Sequence, residues 1–449
     1  MKIERITNGP KNHLFGFHDI CAWNRSNDRL VALEVDAINI PPSSKIAYGL
    51  GYVSNNKEFI RFGDTRAFNY PQGARQQWIA KTNNVIVNDV LNRKVVSKIY
   101  DTDLCKQIDV LAYATHIISE DGWAFGLDYA RLFRLGAYGY SGAVDSTLGD
   151  DAPKDSGIVK HHILTKEKSV FLSVFEMANF EMGFKQGKNH YITHLVFSPN
   201  QQRIAFLHRY KLKDGGEVTR LCTIDVNGEN LRCLLTGFYS HFDWMNDDHI
   251  MIWRRHDDSV LKLRSSLLYK IVPQQLLFIG KKFYRTIKNV SKPKKVSSPE
   301  KIDTTLTWLK VADSADTKRT PIGGGIIFED GHPMFCPTNR DWFISDNYPN
   351  KEGIRTLYLY NIKENKKIDL GQFKMLDEKP DLAASKEILK DTDSAVLQAV
   401  SLEDLAFTRS GLHCDLHPRW SPDGKKVSFD SIHEGSRQVY MVNVEKFLK

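Results

Sequence analysis

No apolar run in this 449-residue chain approaches the roughly 18 residues that a membrane-spanning helix requires. The opening Met1-Lys-Ile-Glu-Arg-Ile-Thr-Asn-Gly-Pro10 carries neither an apolar h-region nor a small-residue cleavage site. Both absences set the expectation of a cytoplasmic protein. Cysteine is scarce: Cys21, Cys105, Cys222, Cys233, Cys336 and Cys414 are scattered, with no Cys-x-x-Cys pair. That argues against a disulfide scaffold or a zinc ribbon and for reduced thiols. There is no Gly-x-Ser-x-Gly elbow, no phosphate-binding P-loop and no Gly-x-Gly-x-x-Gly, and Gly323-Gly-Gly325 precedes a strand instead of opening a helix. Serine hydrolysis and nucleotide binding therefore have no support in the sequence.

Acidic residues are missing from one stretch. Residues 261–299 hold ten Lys/Arg and no Asp or Glu; without them the net charge of +8 becomes −2, so the basicity belongs to that segment. Within it Pro273 opens a helical pattern in which Leu276, Ile279, Phe283, Ile287 and Val290 share a stripe, with Lys281, Lys282, Arg285 and Lys288 away from it. A basic amphipathic helix suits an anionic polymer or an anionic membrane surface, so a peripheral contact with the inner membrane is one expectation. The other is a helix docked on the body of the protein with its basic face solvated. Two more segments stand apart: Tyr138 to Lys160, rich in Gly, Asp and Ser, reads as a surface loop, and 377–405 as a helical insertion.

What the chain does have is a repeat. A polar residue precedes a short apolar strand that runs into a turn, as in His194-Leu-Val-Phe-Ser-Pro199, His332-Pro-Met-Phe-Cys-Pro337, His417-Pro-Arg-Trp-Ser-Pro422 and His241-Phe-Asp-Trp-Met-Asn246. Gln77 and Thr115 hold the same place in two further copies, and His18-Asp-Ile-Cys-Ala-Trp23 is a looser one. Each copy continues as strands rich in Val, Ile, Phe and Tyr joined by turns such as Asp121-Gly122, Asn227-Gly228 and Asp423-Gly424. Seven copies predict an all-β, seven-bladed propeller in which one position of every blade faces a common axis. The predicted blades are 14–65, 72–107, 112–188, 190–236, 239–325, 329–375 and 413–449 plus 1–8, all one domain. The last copy has three clear strands, and residues 2–7 would supply its fourth and remove an open edge.

Histidines around an axis are candidates for metal or proton chemistry, or for hydrogen bonds between blades. His413, Cys414, Asp415 and His417 crowd five residues, and His332 sits one blade earlier at the equivalent place. A second group comprises His190, His194, His208, Arg209, Tyr239, His241, Arg254 and Arg255. Alternation along a strand turns His208 and Arg209 to opposite faces. Arg131, Tyr138 and Tyr140 form a third group. Arginines beside aromatics suit a carboxylated sugar, which stacks on the ring and pairs with the guanidinium. The expected substrate contacts are Arg209, Arg131, Tyr140, Gln77 and Arg75.

At these residues the chain resembles the seven-bladed propeller polysaccharide lyases around oligogalacturonate lyase and ulvan lyase, with TolB-like propellers as more distant relatives. The resemblance rests on Asp415-Leu-His-Pro-Arg-Trp-Ser-Pro-Asp-Gly424 with Phe429-Asp-Ser-Ile-His-Glu-Gly435, on Asp330-Gly-His-Pro333 with Asn347-Tyr-Pro349 and Leu357-Tyr-Leu-Tyr360, and on His190-Tyr-Ile-Thr-His-Leu195 with Phe206-Leu-His-Arg209. It implies a divalent metal on the axis, typically manganese, with His332 and His417 among its ligands. The family's Gln-x-x-His-x-His pattern reads Leu412-His-Cys-Asp-Leu-His417 here, so Asp415 stands in for a histidine and Leu412 for the glutamine. That departure leaves zinc with Cys414, or calcium, as alternatives. The resemblance further implies β-elimination at a uronic acid, with His194 or His241 as base, Tyr239 as acid, Arg255 or the metal on the carboxylate, and His190 nearby. The expected partner is an anionic oligo- or polysaccharide, not nucleic acid. The rival expectation is a non-catalytic TolB-like scaffold in polysaccharide or envelope assembly.

Overall fold

The structure, a computed structural model, describes residues 2–181, 187–212, 215–255 and 307–448. The expected basic helix and its membrane contact, on 261–299, lie outside the described residues. No described helix is long and apolar enough to cross a membrane.

Seven four-stranded antiparallel sheets make a seven-bladed β-propeller. In blade four, for instance, Lys188–Phe197, Arg203–Lys211, Glu217–Asp225 and Arg232–Gly237 follow one another outward from the axis. The last sheet is built from both ends of the chain: Ile3–Arg5 pairs with Gln438–Asn443, register Glu4 to Met441, as its outermost strand. The second blade runs on to Leu111 at its outer edge.

Middle strands are buried on both faces because each sheet packs between two others. Arg29–Val35 and Trp342–Asp346 therefore read as nearly continuous apolar runs. Between blades five and six, Met251, Trp253 and Trp308 pack on Phe335, Phe343 and Tyr358. The fixed tryptophan of the repeat carries a second tie. Trp78, Trp244 and Trp420 each donate Nε1–H to a carbonyl of the preceding blade, Ala22, Val196 and Met334, at 2.9, 3.1 and 2.8 Å. Buried acids make a third, since Asp430 accepts from the N–H groups of Phe15 and Gly16 and from Arg419, joining blade seven to blade one. In the Ser421-Pro-Asp-Gly424 turn, the Ser421 hydroxyl donates to Asp423 Oδ1, and Gly424 takes φ +68 where a Cβ would strike Thr338.

The insertion 377–405 is helical and continues further than expected, as Leu382–Ile388, Ser394–Ala399 and Leu402–Arg409. It lies over one side of the ring. Asp381 N–H and Gly411 N–H donate to Asn39 and Ile38 beyond the second strand of blade one, and Asp393 N–H to Arg134 in blade three. The stretch 138–160 is no free loop. Arg134 pairs with Asp145 at 2.5 Å, and Arg131 grips Thr147, Asp150 and Asp151.

Candidate functional site at the propeller axis

Five imidazoles converge on Phe17, with ring centroids 4.3 Å (His18), 5.0 Å (His417), 5.2 Å (His194), 6.3 Å (His332) and 6.4 Å (His241) away. Local backbone irregularity aims several of them inward. The pairing register slips between Thr193 and Val196 and between Tyr239 and Phe242, bracketing His194 and His241. His194 and His417 also adopt left-handed backbone, φ 58 and 42, a conformation that costs a non-glycine residue on the order of 1 kcal/mol. Gly16 (φ +129) completes the floor, because a Cβ there would lie 2.6 Å from Gly73 N.

The axial histidines make the hydrogen bonds between blades that the sequence allowed. Nδ1 of His417 meets the Gly16 carbonyl at 3.0 Å, that of His18 the Pro333 carbonyl at 2.8 Å, and that of His332 the Asp346 carboxylate at 2.7 Å. These contacts join distant parts of the ring and fix each imidazole so that Nε2 faces inward. The inward atoms gather around Asp415, whose Oδ2 lies 3.3 Å from His413, 3.7 Å from His417 and 4.0 Å from His332. Arg355 pairs with its other oxygen at 2.7 Å.

Charge follows this geometry. Burial first, and neighbouring imidazoles or arginines second, hold His18, His194 and His417 well below the ordinary imidazole range. At His332 burial is overcome by Asp346 and Asp415, and the pKa rises. Asp415 resists burial through His413, Arg355 and His332 and stays well below the carboxylate range. Among the described residues, His332, Asp415 and His417 form the one group whose ligand atoms converge as a metal requires. The Nε2 of His18, buried without a partner, faces the same histidines. Imidazoles with one carboxylate suit manganese or zinc and fit calcium poorly, since calcium takes oxygen ligands. Cys414 does not fit. Its thiol packs with Leu412 and Ile432, away from the group formed by His332, Asp415 and His417.

Above this floor stands a second set. His241 Nδ1 lies 2.9 Å from Asp330 Oδ1, while Asp330 Oδ2 accepts from Ser240 at 2.9 Å and lies 3.7 Å from Arg255 Nε. Burial outweighs Asp330 and lowers the pKa of His241, whose other nitrogen stays neutral. Arg255 is half exposed, so its guanidinium reaches solvent beside the His241–Asp330 pair. Tyr348 lies 6.1 Å from His241 and 5.5 Å from His332, with Arg355 over its ring. On the blade-four side, Tyr138 lies 6.4 Å from His194, under Arg409 of the helical insertion. Arg209 comes close enough to depress His194 and is itself paired with Glu217 at 3.4 Å.

Other expected site residues are occupied in packing. Tyr239 turns into the core between blades four and five, with Leu207, Leu221 and Phe242. The register slip after it undoes the alternation that would have placed it beside His241. His190 stacks on His208, with 3.0 Å between ring nitrogens. Arg131 spends its donors on His190, Thr147, Asp150 and Asp151. Tyr140 is fully buried, stacked on Tyr129 and bonded to Asn88. Arg75 pairs with buried Asp19 at 2.7 Å and donates, as Gln77 does, to the His116 carbonyl. The sequence reading passed over Asp330, Tyr348, Arg355 and Asp346 as chemistry, and it left His18 outside the metal set although the residue opens a repeat.

No protein-family model matches the chain, and no curated protein matches it. Solved structures do. An oligogalacturonate lyase in complex with manganese aligns with a TM-score of 0.57 at 11% identity, over 99% of this chain and 94% of that one. Oligogalacturonate lyase from Vibrio parahaemolyticus aligns with a TM-score of 0.56 at 8% identity, over 100% and 94%. From end to end, the chain has the seven-bladed propeller fold of those lyases.

Proposed function

We propose that the protein is a lyase that cleaves a uronic-acid-containing oligo- or polysaccharide by β-elimination at the axial histidine cluster. The observation that carries the reading is the His241–Asp330 pair, held between a floor of imidazoles with Asp415 and the exposed guanidinium of Arg255.

The C5 proton of a uronate is weakly acidic until its carboxylate is neutralised. Arg255, half exposed beside Asp330, offers planar donors for that carboxylate. A divalent cation held by His332, His417 and Asp415, with His18 beside them, would supply further positive charge there. His241, neutral and oriented by Asp330, takes the C5 proton on Nε2. As the C4–O bond breaks, the departing oxygen needs a proton. Tyr348 can give it, since burial first, then Asp415 and Asp330, keep its phenol protonated. Tyr138, Arg209 and His194 line the blade-four side, where a neighbouring sugar would lie. The products are an unsaturated uronate end and a new reducing end.

The test is incubation of the manganese-loaded protein with a panel of uronic-acid polymers and oligomers, read by the ultraviolet absorbance of the unsaturated product. Product from one or more polymers supports the lyase; no product from any, with substrates still binding, would favour the scaffold.

A further inference from the structure

Far from the axis, in the outer half of blade four, Cys222 and Cys233 stand opposite each other on the antiparallel strands Glu217–Asp225 and Arg232–Gly237. Cross-strand neighbours lie about 4.5–5.5 Å apart at Cα, within the range a disulfide bridges. Both cysteines are free, and they are paired residues in the strand register. Cys222 is fully buried, whereas Cys233 is partly accessible.

The surroundings are those of an anion. Arg220 is 1% exposed, and its Nε donates to Cys233 Sγ at 3.1 Å. Its other donors meet neutral acceptors, the carbonyls of Met177 and Phe180 at 3.1 and 3.0 Å and the ring of His208 at 3.5 Å. The one carboxylate it pairs with among the described residues is Glu181, 3.8 Å away and more than half exposed. A buried guanidinium with so little counter-charge stabilises a thiolate at the sulfur it touches. Thr236 Oγ1, 3.5 Å from the same sulfur, is a hydroxyl able to donate to it once the thiol has lost its proton, while in the thiol form the sulfur donates to the Leu235 carbonyl at 3.6 Å. In keeping with this geometry, the Cys222 thiol, then Arg220 and Thr236, draw Cys233 down to about 6 against its burial.

We propose that Cys222 and Cys233 form a redox-active dithiol that a hydroperoxide converts to a cross-strand disulfide. The Cys233 thiolate attacks one peroxide oxygen; the O–O bond breaks, and the leaving oxygen departs protonated as water or an alcohol. Cys233 is left as a sulfenic acid. Cys222 then loses its proton and attacks the Cys233 sulfur, the S–O bond breaks, and the sulfenic oxygen takes up that proton and leaves as water. Two thiols are oxidised by two electrons and one hydroperoxide is reduced.

The reduced full-length protein, treated with equimolar hydrogen peroxide, alkylated and digested, should yield a Cys222–Cys233 linked peptide two hydrogens lighter than its parts. Cys105, exposed and on blade two, is the internal reference. Cys233 should oxidise about tenfold faster than Cys105 at neutral pH, as expected for a thiolate against an ordinary thiol. In Cys222→Ser the reaction should stop at a sulfenic acid on Cys233 that dimedone traps. Cys233 oxidising no faster than Cys105, or accumulating sulfinic acid without linkage to Cys222, would overturn the proposal.

Discussion

His241 Nδ1 and Asp330 Oδ1 lie 2.9 Å apart across the gap between blades five and six. The histidine comes from the inner strand of blade five and the aspartate from the turn that leads into blade six. The dyad therefore exists only when the two blades are packed. Asp330 leaves one imidazole nitrogen as donor and the other as a free lone pair. Replacing it by asparagine keeps the size but lets the ring settle in the wrong tautomer. Asp330→Asn should lower kcat about 10²-fold with KM little changed, the usual range for loss of general-base function. Steady-state kinetics on the best uronate polymer would check this.

The metal prediction separates neighbouring residues. His332→Ala, His417→Ala and Asp415→Ala should each weaken manganese binding by at least about tenfold, since each removes a ligand or its anchor. Cys414→Ser, one residue from Asp415, should leave the affinity unchanged because its thiol faces Leu412 and Ile432. Titration calorimetry with manganese alone is the readout.

Ring closure gives a stability prediction. Asp430 is fully buried and holds Arg419 at 2.7 Å together with two N–H groups of blade one. Asp430→Ala strands the buried guanidiniums of Arg419 and Arg437, and should cost about 3–5 kcal/mol in denaturant unfolding.

Much of this was legible in the sequence because blade geometry repeats. The polar residue before each inner strand marks the axis, and the tryptophan three places after His241 and His417 marks the contact with the preceding blade. What escaped was local. Asp330 precedes a glycine and reads as a turn residue. Tyr239 and His241 share parity in the sequence, and only a register slip, invisible in composition, sends one to the core and the other to the axis. Arg75, Gln77 and Tyr140 are taken up by Asp19, the His116 carbonyl and Asn88, tertiary contacts that no repeat pattern carries.

Acid should unfold the protein partly through Glu217. Against burial, Arg209 first, then Lys211 at 2.5 Å and last Tyr191 at 2.5 Å, hold it down to about 2. A depressed carboxylate stabilises the fold above its unfolded pKa of about 4.3 and loses that contribution as pH falls toward about 2. Glu217→Gln should lower stability at pH 7 by about 1–3 kcal/mol, partly offset by solvent at the rim, and flatten the slope between pH 4 and 2. Urea unfolding against pH would show it.

The most direct measurement compares His241→Ala with the unaltered protein on the uronate polymer that gives the highest rate, both loaded with manganese and both shown to be folded. The lyase reading predicts a new ultraviolet-absorbing unsaturated end from the unaltered protein and a rate at least about 10²-fold lower from the variant. Equal rates from the two proteins would contradict it.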